Sequence, residues 1–192
     1  MEEIVLIGGG GHCRSCIDVI ESAGQFMIAG IVDVPGKLGE KVLSYPVIAN
    51  DSDLVGLAGR YRNFLITIGQ LRSPVTRILL YEKLKGLSVL FPAQISPHAY
   101  VSRHAIIGDG TIVMHGAIVN ANARIGNNCI INSNSLIEHD AMIGDHCHIA
   151  TGAIINGGVV VGGSSFIGSG CVTKQYITIP EKSFIPAHTI MK

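Results

Sequence analysis

The chain has 192 residues, 47% of them hydrophobic and 15% charged, which is enough apolar material for a packed core. Its 14 basic and 14 acidic residues cancel, so it lacks the electrostatic signature of a protein that binds nucleic acid or a membrane surface. No apolar stretch approaches the roughly 20 residues of a spanning helix, and no basic segment precedes an apolar one at the start, so we expect a cytoplasmic protein.

The first part of the chain alternates predicted strands and helices. A short apolar run from Ile4 to Ile7 stops at four consecutive glycines, residues 8–11. A helical pattern then continues to Gly24, and a second strand covers Ile28 to Val32. These segments predict a β-loop-α-β unit.

A second strand and helix follow. Asn63 to Ile68 repeats the strand pattern, and the next helix is expected to have Ser73 as N-cap, Pro74 at its first position and Gly86 just beyond its end. A last strand is predicted from Ser88 to Phe91. Together these elements predict a small α/β domain with a largely parallel, Rossmann-like sheet.

The pattern changes at Ile95, so we predict one domain over residues 1–92 and another over residues 93–192. From there to Met191 every sixth residue is apolar, with Thr173 as the only exception. The residue four positions further on is mostly small in each repeat. The first column is Ile95, Val101, Ile107, Val113, Val119, Ile125, Ile131, Ile137, Ile143, Ile149, Ile155, Val161, Ile167, Thr173, Ile179, Ile185 and Met191.

A six-residue period is neither helical nor that of an alternating strand; it is typical of a parallel β-helix with three short strands and about 18 residues per coil. The period alone does not determine its handedness. Cys129, Cys147 and Cys171 fall in the small inward column, where a thiol packs as a compact hydrophobe. The five cysteines follow no disulfide-scaffold spacing, so we expect reduced thiols.

One repeat, "SLIEHDAMIG", carries three consecutive polar residues, Glu138, His139 and Asp140. The period places His139 near a corner of the prism, pointing outward. The equivalent positions one coil earlier and one coil later are Ala121 and Gly157, so a small slot is expected beside the imidazole.

A histidine with a pKa near ~6.5 can accept a proton at neutral pH from an amine that attacks a thioester carbonyl. Asp140 would orient the ring and stabilise its cation, as the acid of a catalytic triad does. The alternative is a solvated corner histidine without a catalytic task.

Repeats such as "IGDGTI", "IGNNCI" and "IGDHCH" resemble those of the hexapeptide-repeat acyltransferases, whose prism is a left-handed β-helix. Together with "VLIGGGGH" and "NSNSLIEHD", the chain more closely resembles the nucleotide-sugar acetyltransferases, a group that includes bacterial sialic acid O-acetyltransferase-like proteins. The resemblance implies acetyl-CoA as co-substrate, His139 as general base and Asp140 as its partner. Relatives often have glutamate where this chain has Asp140.

The resemblance also implies a histidine facing acetyl-CoA at His148, which could meet His139 across the interface of a homotrimer. A packing role is the alternative. Asn132 matches an asparagine that could position the sugar, and the N–H of Gly157, unshielded by a side chain, fits an oxyanion role. A zinc site at "HCH" is not expected, because alternation points Cys147 away from its neighbours and no fourth ligand is evident.

The glycine loop follows a strand and opens a helix, so the N–H groups around Gly10 and Gly11 could hold a phosphate. A dinucleotide motif would need a third glycine where Cys13 stands. The resemblance implies nucleotide-sugar binding by this loop with His12 and Asp33. A tight turn that binds nothing is the alternative.

The end of the chain departs from the related sequences. Many of them finish with Gly-x-Pro-Ala-Lys near the adenine of CoA, whereas "FIPAHTIMK" has Phe184 in place of the glycine and keeps the repeat to Met191. We therefore predict one more coil here. Lys174 could reach the phosphates of CoA, or could simply be solvated.

The sequence thus predicts an acetyl-CoA-dependent N-acetyltransferase that acts on a nucleotide-linked amino sugar, as a homotrimer without a metal. Direct transfer is expected because the inward cysteines are poor nucleophiles. Two alternatives stay open: O-acetylation of a sugar such as sialic acid, and a non-catalytic nucleotide-sugar sensor or trimeric scaffold.

Overall fold

The computed structural model describes residues 1–192 and divides them into two compact units. The first consists of Met1–Gly69 and Val75–Pro92, and the second of Gln70–Pro74 and Ala93–Lys192. A five-residue segment between two elements of the first unit therefore belongs to the second. None of the helices combines the length and the apolar character that crossing a bilayer would require.

A five-stranded sheet forms the centre of the first unit. Its order is β3-β4-β2-β1-β5, and every neighbouring pair is parallel except β3 and β4. Strand β1 lies inside the sheet, and its residues 4–7 are fully buried. The strands are β1 (Glu2–Ile7), β2 (Phe26–Val32), β3 (Lys41–Val42), β4 (Tyr45–Ala49) and β5 (Asn63–Ile66).

The helices of the first unit are α1 (Gly11–Ala23), α2 (Leu54–Ala58) and α3 (Val75–Lys85), with a 3₁₀ turn at Pro35–Lys37. Helix α1 ends at Gly24, whose φ of 61° is the left-handed conformation that glycine adopts at low cost. Helix α3 begins one residue after Pro74.

The strand predicted from Ser88 to Phe91 is wrong. The segment makes a single bridge, Asn63 to Leu90, in which Phe64 N–H donates to the Leu90 carbonyl at 2.9 Å. Ser88 has a φ of 58°, outside the extended region, so the chain turns where a strand would have to begin.

The second unit is built from short strands of two residues each. They are β6 (Gln94–Ile95), β7 (Tyr100–Val101), β8 (Ile106–Ile107), β9 (Ile112–Val113), β10 (Ile118–Val119), β11 (Arg124–Ile125), β12 (Ile130–Ile131), β13 (Leu136–Ile137), β14 (Met142–Ile143), β15 (His148–Ile149), β16 (Ile154–Ile155), β17 (Val160–Val161), β18 (Phe166–Ile167), β19 (Val172–Thr173), β20 (Thr178–Ile179), β21 (Phe184–Ile185) and β22 (Ile190–Met191).

These strands make three parallel sheets, the faces of a prism. The first face contains β6, β9, β12, β15, β18 and β21; the second β7, β10, β13, β16, β19 and β22; the third β8, β11, β14, β17 and β20. Each strand pairs with the strand 18 residues later, as Ile131 does with Ile149 and Ile137 with Ile155. The parallel β-helix predicted from the six-residue period is confirmed.

The aliphatic column and the small column fill the interior of the prism. Ile131, Ile137, Ile149 and Ile155 are fully buried, and so are all three cysteines of the small column. All five cysteines of the chain are free thiols. The core is therefore a dry stack in which each layer rests on its equivalents in the coils before and after it.

The corners of the prism turn through left-handed residues. Asn122 has a φ of 60° and Asp140 a φ of 62°, and glycines such as Gly158 occupy the same place in other coils. Asparagine, aspartate and glycine are the residues that tolerate this conformation best. The turn after β13 joins the second face to the third, and we call this edge, with its equivalents in the other coils, the 139 corner.

Replacing Ile149 by alanine should lower the free energy of unfolding by about 2–5 kcal/mol, because it leaves a cavity between stacked layers. Ile190 is a matched control with 71% of its surface exposed, against none for Ile149. Its alanine variant should cost less than about 0.5 kcal/mol. Guanidinium unfolding of both variants measures the difference, and equal losses would contradict the assigned core.

Candidate active site

His139 and Asp140 form a hydrogen-bonded pair at the 139 corner. His139 Nδ1 lies 2.7 Å from Asp140 Oδ2, and the side chains are 50% and 52% exposed. Because a carboxylate can only accept, Nδ1 carries the proton of the neutral ring and Nε2 is left as the basic nitrogen. The two residues that the sequence pairs are therefore in contact, with the basic nitrogen free.

Asp140 is itself held by a side chain from the preceding coil. Asn122 Nδ2 donates to Asp140 Oδ1 at 2.7 Å. This bond, followed by that from His139, holds the pKa of Asp140 below its usual value. In turn, the hydrogen bond to Asp140 raises the pKa of His139 above its ordinary value. The corner thus favours an ionised carboxylate beside a histidine of increased basicity.

The imidazole of His139 packs against Gly157, in the space that a side chain would fill. A Cβ on this glycine would lie 2.8 Å from His139 Cε1 and 2.9 Å from Nε2, which is closer than real contacts allow. The ring of Tyr176, from the following coil, lies in the same way against Gly158. The slot expected beside His139 therefore exists. We call Gly157 and Gly158 the glycine step, and the imidazole of His139 rests on Gly157.

Thr173, the one polar member of the aliphatic column, changes the hydrogen bonding of the backbone next to the glycine step. Its hydroxyl oxygen accepts the N–H of Asn156 at 2.8 Å, where other coils use a strand carbonyl. The side-chain amide of Asn156 donates to the Thr173 carbonyl. This side-chain clamp fixes the residue that immediately precedes Gly157.

His148 is buried inside the second unit, with 6% of its surface exposed. Nδ1 donates to the Gln70 carbonyl at 2.6 Å, so Nε2 accepts from Asn132 Nδ2 at 3.1 Å. The ring also meets the edge of Phe166, with centroids 5.2 Å apart. These are the contacts of a packing residue. Within one chain His148 lies on the first face, away from the 139 corner, and its meeting with His139 across a subunit interface stays a prediction. Its contact with acetyl-CoA stays a prediction.

Of the other predicted residues of this unit, Asn132 is held by hydrogen bonds and Lys174 is exposed. Asn132 also accepts the Ser133 N–H at 2.8 Å, so its amide is committed to the chain's own groups. Lys174 is exposed at the 139 corner, in the coil that follows Asn156. The roles of Asn132 and Lys174 in binding stay predictions.

The glycines of the first unit serve two purposes. Gly8 has a φ of 102°, and a Cβ on Gly9 would lie 2.7 Å from Asp33 Oδ2, so the turn itself requires both. Nothing lies within 4 Å of a Cβ on Gly10 or Gly11, which begin helix α1. The turn therefore requires the first two glycines, whereas packing does not require the last two, and phosphate binding at Gly10 and Gly11 stays a prediction.

Asp33 is tied to its own loop. Its carboxylate accepts from Gly9 N–H at 3.2 Å, Val34 N–H at 2.8 Å and Lys37 Nζ at 2.9 Å. Burial alone would raise the pKa of Asp33, but the bonds from Lys37 and Val34 outweigh it and hold the pKa below its usual value. Its role in binding a nucleotide stays a prediction, as does that of the half-buried His12.

Sequence reasoning missed two asparagines and a lysine. Asn122 and Asn120 reach the carboxylates of Asp140 and Glu138 in the next coil, at 2.7 and 3.0 Å. Lys37 forms the ion pair with Asp33. The 18-residue coil period could have revealed both asparagines, whereas nothing in the local sequence identifies the lysine.

Two protein families match the chain. Residues 3–84 match the PglD N-terminal domain, and residues 104–139 and 122–157 match the bacterial transferase hexapeptide (six repeats). No curated protein is significantly similar to the chain in sequence.

Solved structures are similar over the whole chain. PerB from Caulobacter crescentus, in complex with CoA and GDP-perosamine, is 30% identical with a TM-score of 0.92, covering 100% of this chain and 89% of that one. A histidine mutant of perosamine N-acetyltransferase from the same organism, with the same ligands, is 29% identical with a TM-score of 0.93 at the same coverage.

The acetyltransferase domain of PglB from Neisseria gonorrhoeae is 25% identical with a TM-score of 0.90, covering 100% of this chain and 92% of that one. Full-length similarity, the matched N-terminal domain and the matched repeats agree with each other. The second unit is accordingly a left-handed parallel β-helix, and the chain belongs to the hexapeptide-repeat nucleotide-sugar acetyltransferases.

Proposed function

We propose that the chain transfers the acetyl group of acetyl-CoA to the amine of a nucleotide-linked sugar, with His139 as general base. The observation that carries this is the exposed His139–Asp140 pair, whose basic nitrogen faces a glycine step. Support comes from relatives that match the whole of this chain and hold CoA together with GDP-perosamine, an amino sugar nucleotide.

In the proposed reaction the amine nitrogen attacks the thioester carbonyl carbon. A C–N bond forms, the C–S bond breaks, and the proton that the amine loses passes to His139 Nε2. The thiolate of CoA leaves and takes this proton from the imidazolium, which gives the free thiol and restores the neutral His139. Asp140 stabilises the imidazolium that forms in between, without taking the proton itself.

Gly157 is proposed to support the tetrahedral intermediate. Its carbonyl accepts the Tyr176 N–H at 3.0 Å, while its own N–H makes no bond to a neighbouring coil. A free N–H beside the base is the kind of donor that stabilises a developing oxyanion. Lys174, exposed at the same corner, is proposed to contact the phosphates of CoA.

The nucleotide is proposed to bind through its phosphates at the start of helix α1, where Gly10 and Gly11 leave the backbone N–H groups open. A 13-residue helix with no acidic residue in its first turn favours an anion there. His12 and Asp33 border the same loop and would contact the rest of the nucleotide.

We also propose a homotrimer. The two faces that meet at the 139 corner expose large apolar side chains, among them Tyr100 and Ile118 on the second face and Ile106 and Met142 on the third. Covering such surface is a common reason for association. A neighbouring subunit packed there would complete the site around His139 and shield it from water.

Turnover of acetyl-CoA should be followed by HPLC and mass spectrometry against UDP-, GDP- and dTDP-linked amino sugars and sialic acid. We expect one acetyl group added to an amino nucleotide sugar, at a rate that falls by about 10²-fold or more in His139→Ala. His98→Ala is the matched control, since His98 is exposed at another corner. Acetylation of a hydroxyl would indicate O-acetyl transfer, and nucleotide-sugar binding without turnover a sensor.

The rate should rise with pH through the pKa of His139, because only the neutral ring accepts a proton. The hydrogen bond to Asp140 raises the pKa of His139, so the acid limb of the pH–rate profile lies at a higher pH than the ordinary pKa of histidine would give. Asp140→Asn keeps the size and tolerates the left-handed backbone but removes the charge. It should move the limb to lower pH and reduce kcat by at least about tenfold. A pH profile with an unmoved limb would contradict the pairing.

A further inference from the structure

We propose that Asn122 is a positioning residue of the transferase: it holds Asp140 in the orientation that aligns the imidazole of His139. The inference rests on the proposed function of the 139 corner. Asn122 lies one coil before Asp140, and its amide is hydrogen-bonded to the carboxylate oxygen that His139 does not use.

The geometry of the stacked turns explains why this contact is well defined. Asn122 and Asp140 occupy equivalent turn positions with nearly the same φ, 60° and 62°. In-register coils place such residues one strand spacing apart, about 4.8 Å, so a side-chain amide reaches the carboxylate above it. Asp140 N–H also donates to the Ala121 carbonyl at 3.2 Å, which ties the two turns together.

Asp140 needs such support because half of its side chain is exposed. A carboxylate in water can rotate away from a single partner, and the bond to His139 would then be made only part of the time. With Asn122 on one oxygen and His139 on the other, both are used and the plane of the carboxylate is fixed. Only the Nδ2 side of the Asn122 amide can donate, so its orientation is also determined.

Few other charges act on this pair. Glu138 neighbours His139 along the chain and raises its pKa further. From the preceding coil the equivalent residues are Ala121 and Asn122, which are uncharged; His104 lies one coil before Asn122. From the following coils come the glycine step, the ring of Tyr176 and the exposed cation Lys174. The bond from Asn122 is the largest influence that keeps Asp140 ionised.

An asparagine–carboxylate contact could merely fasten two coils, and the chain contains a matched control for that role. Asn127 Nδ2 donates to Asp145 Oδ1 at 3.2 Å, between the same two coils but at another corner. Asn127→Ala removes such a fastening without touching His139. Asn122→Gly removes the amide at the active corner and keeps a residue that tolerates a positive φ.

Two measurements test the proposal: steady-state kinetics, and the pKa of His139 followed by NMR of the imidazole. In Asn122→Gly we expect kcat to fall about tenfold with KM little changed, and the pKa of His139 to move down toward its ordinary value. Asn127→Ala should lower the melting temperature at least as much as Asn122→Gly does, but should leave kcat and the pKa of His139 unchanged. Asn122→Asp, which places a like charge under Asp140, should not restore kcat.

An unchanged or higher pKa of His139 in Asn122→Gly would overturn the positioning role, whatever the enzyme acts on. The NMR measurement needs no turnover, so it separates this failure from that of the proposed function. If the wild-type protein acetylates no acceptor but the pKa falls in Asn122→Gly, positioning stands and the proposed reaction is wrong. A loss of kcat equal in both variants would show a structural fastening only.

Discussion

The exact stacking of one coil on the next is the constraint on which the second unit and its candidate site depend. Backbone bonds tie the turn at His139 to both neighbouring coils: Gly158 N–H donates to the His139 carbonyl at 3.0 Å, and Asp140 N–H to the Ala121 carbonyl at 3.2 Å. Because equivalent positions are held about one strand spacing apart, residues distant in sequence become fixed neighbours. The stacked coils thus place His139, Asp140 and Gly157 next to one another with little help from loops.

The repeat is also the part of the molecule that the sequence describes best. A six-residue column predicts a parallel β-helix of 18 residues per coil, so the strands, their register and the buried cysteines follow from it, although the handedness does not. The pairing of His139 with Asp140 is predicted on other grounds, from the chemistry of a carboxylate beside a histidine and from the family resemblance. In the first unit, local patterns found strands β1, β2 and β5 but missed the β3–β4 hairpin and helix α2, which are short. They also extended a strand through Ser88, where the backbone turns.

Some contacts of the candidate residues are ones that no periodic pattern encodes. His148 follows the outward position of its strand, yet a segment far back in the chain covers it, with Gln70 supplying the acceptor for Nδ1. Asp33 forms an ion pair with the nearby Lys37, and its role in binding a nucleotide stays a prediction. Thr173 interrupts the aliphatic column, and its hydroxyl replaces a strand carbonyl as the acceptor of the Asn156 N–H. Each case depends on a side chain meeting a particular backbone group.

Coil stacking seats the His139 ring directly on Gly157, and a single substitution tests whether activity depends on this contact. The backbone at Gly157 is not left-handed, so alanine is conformationally acceptable there, but its Cβ would come within 2.8 Å of the ring. The kcat of Gly157→Ala, measured on protein whose melting temperature is unchanged, should fall by about 10²-fold because the imidazole is displaced. A variant as active as the wild type would contradict this account of the site.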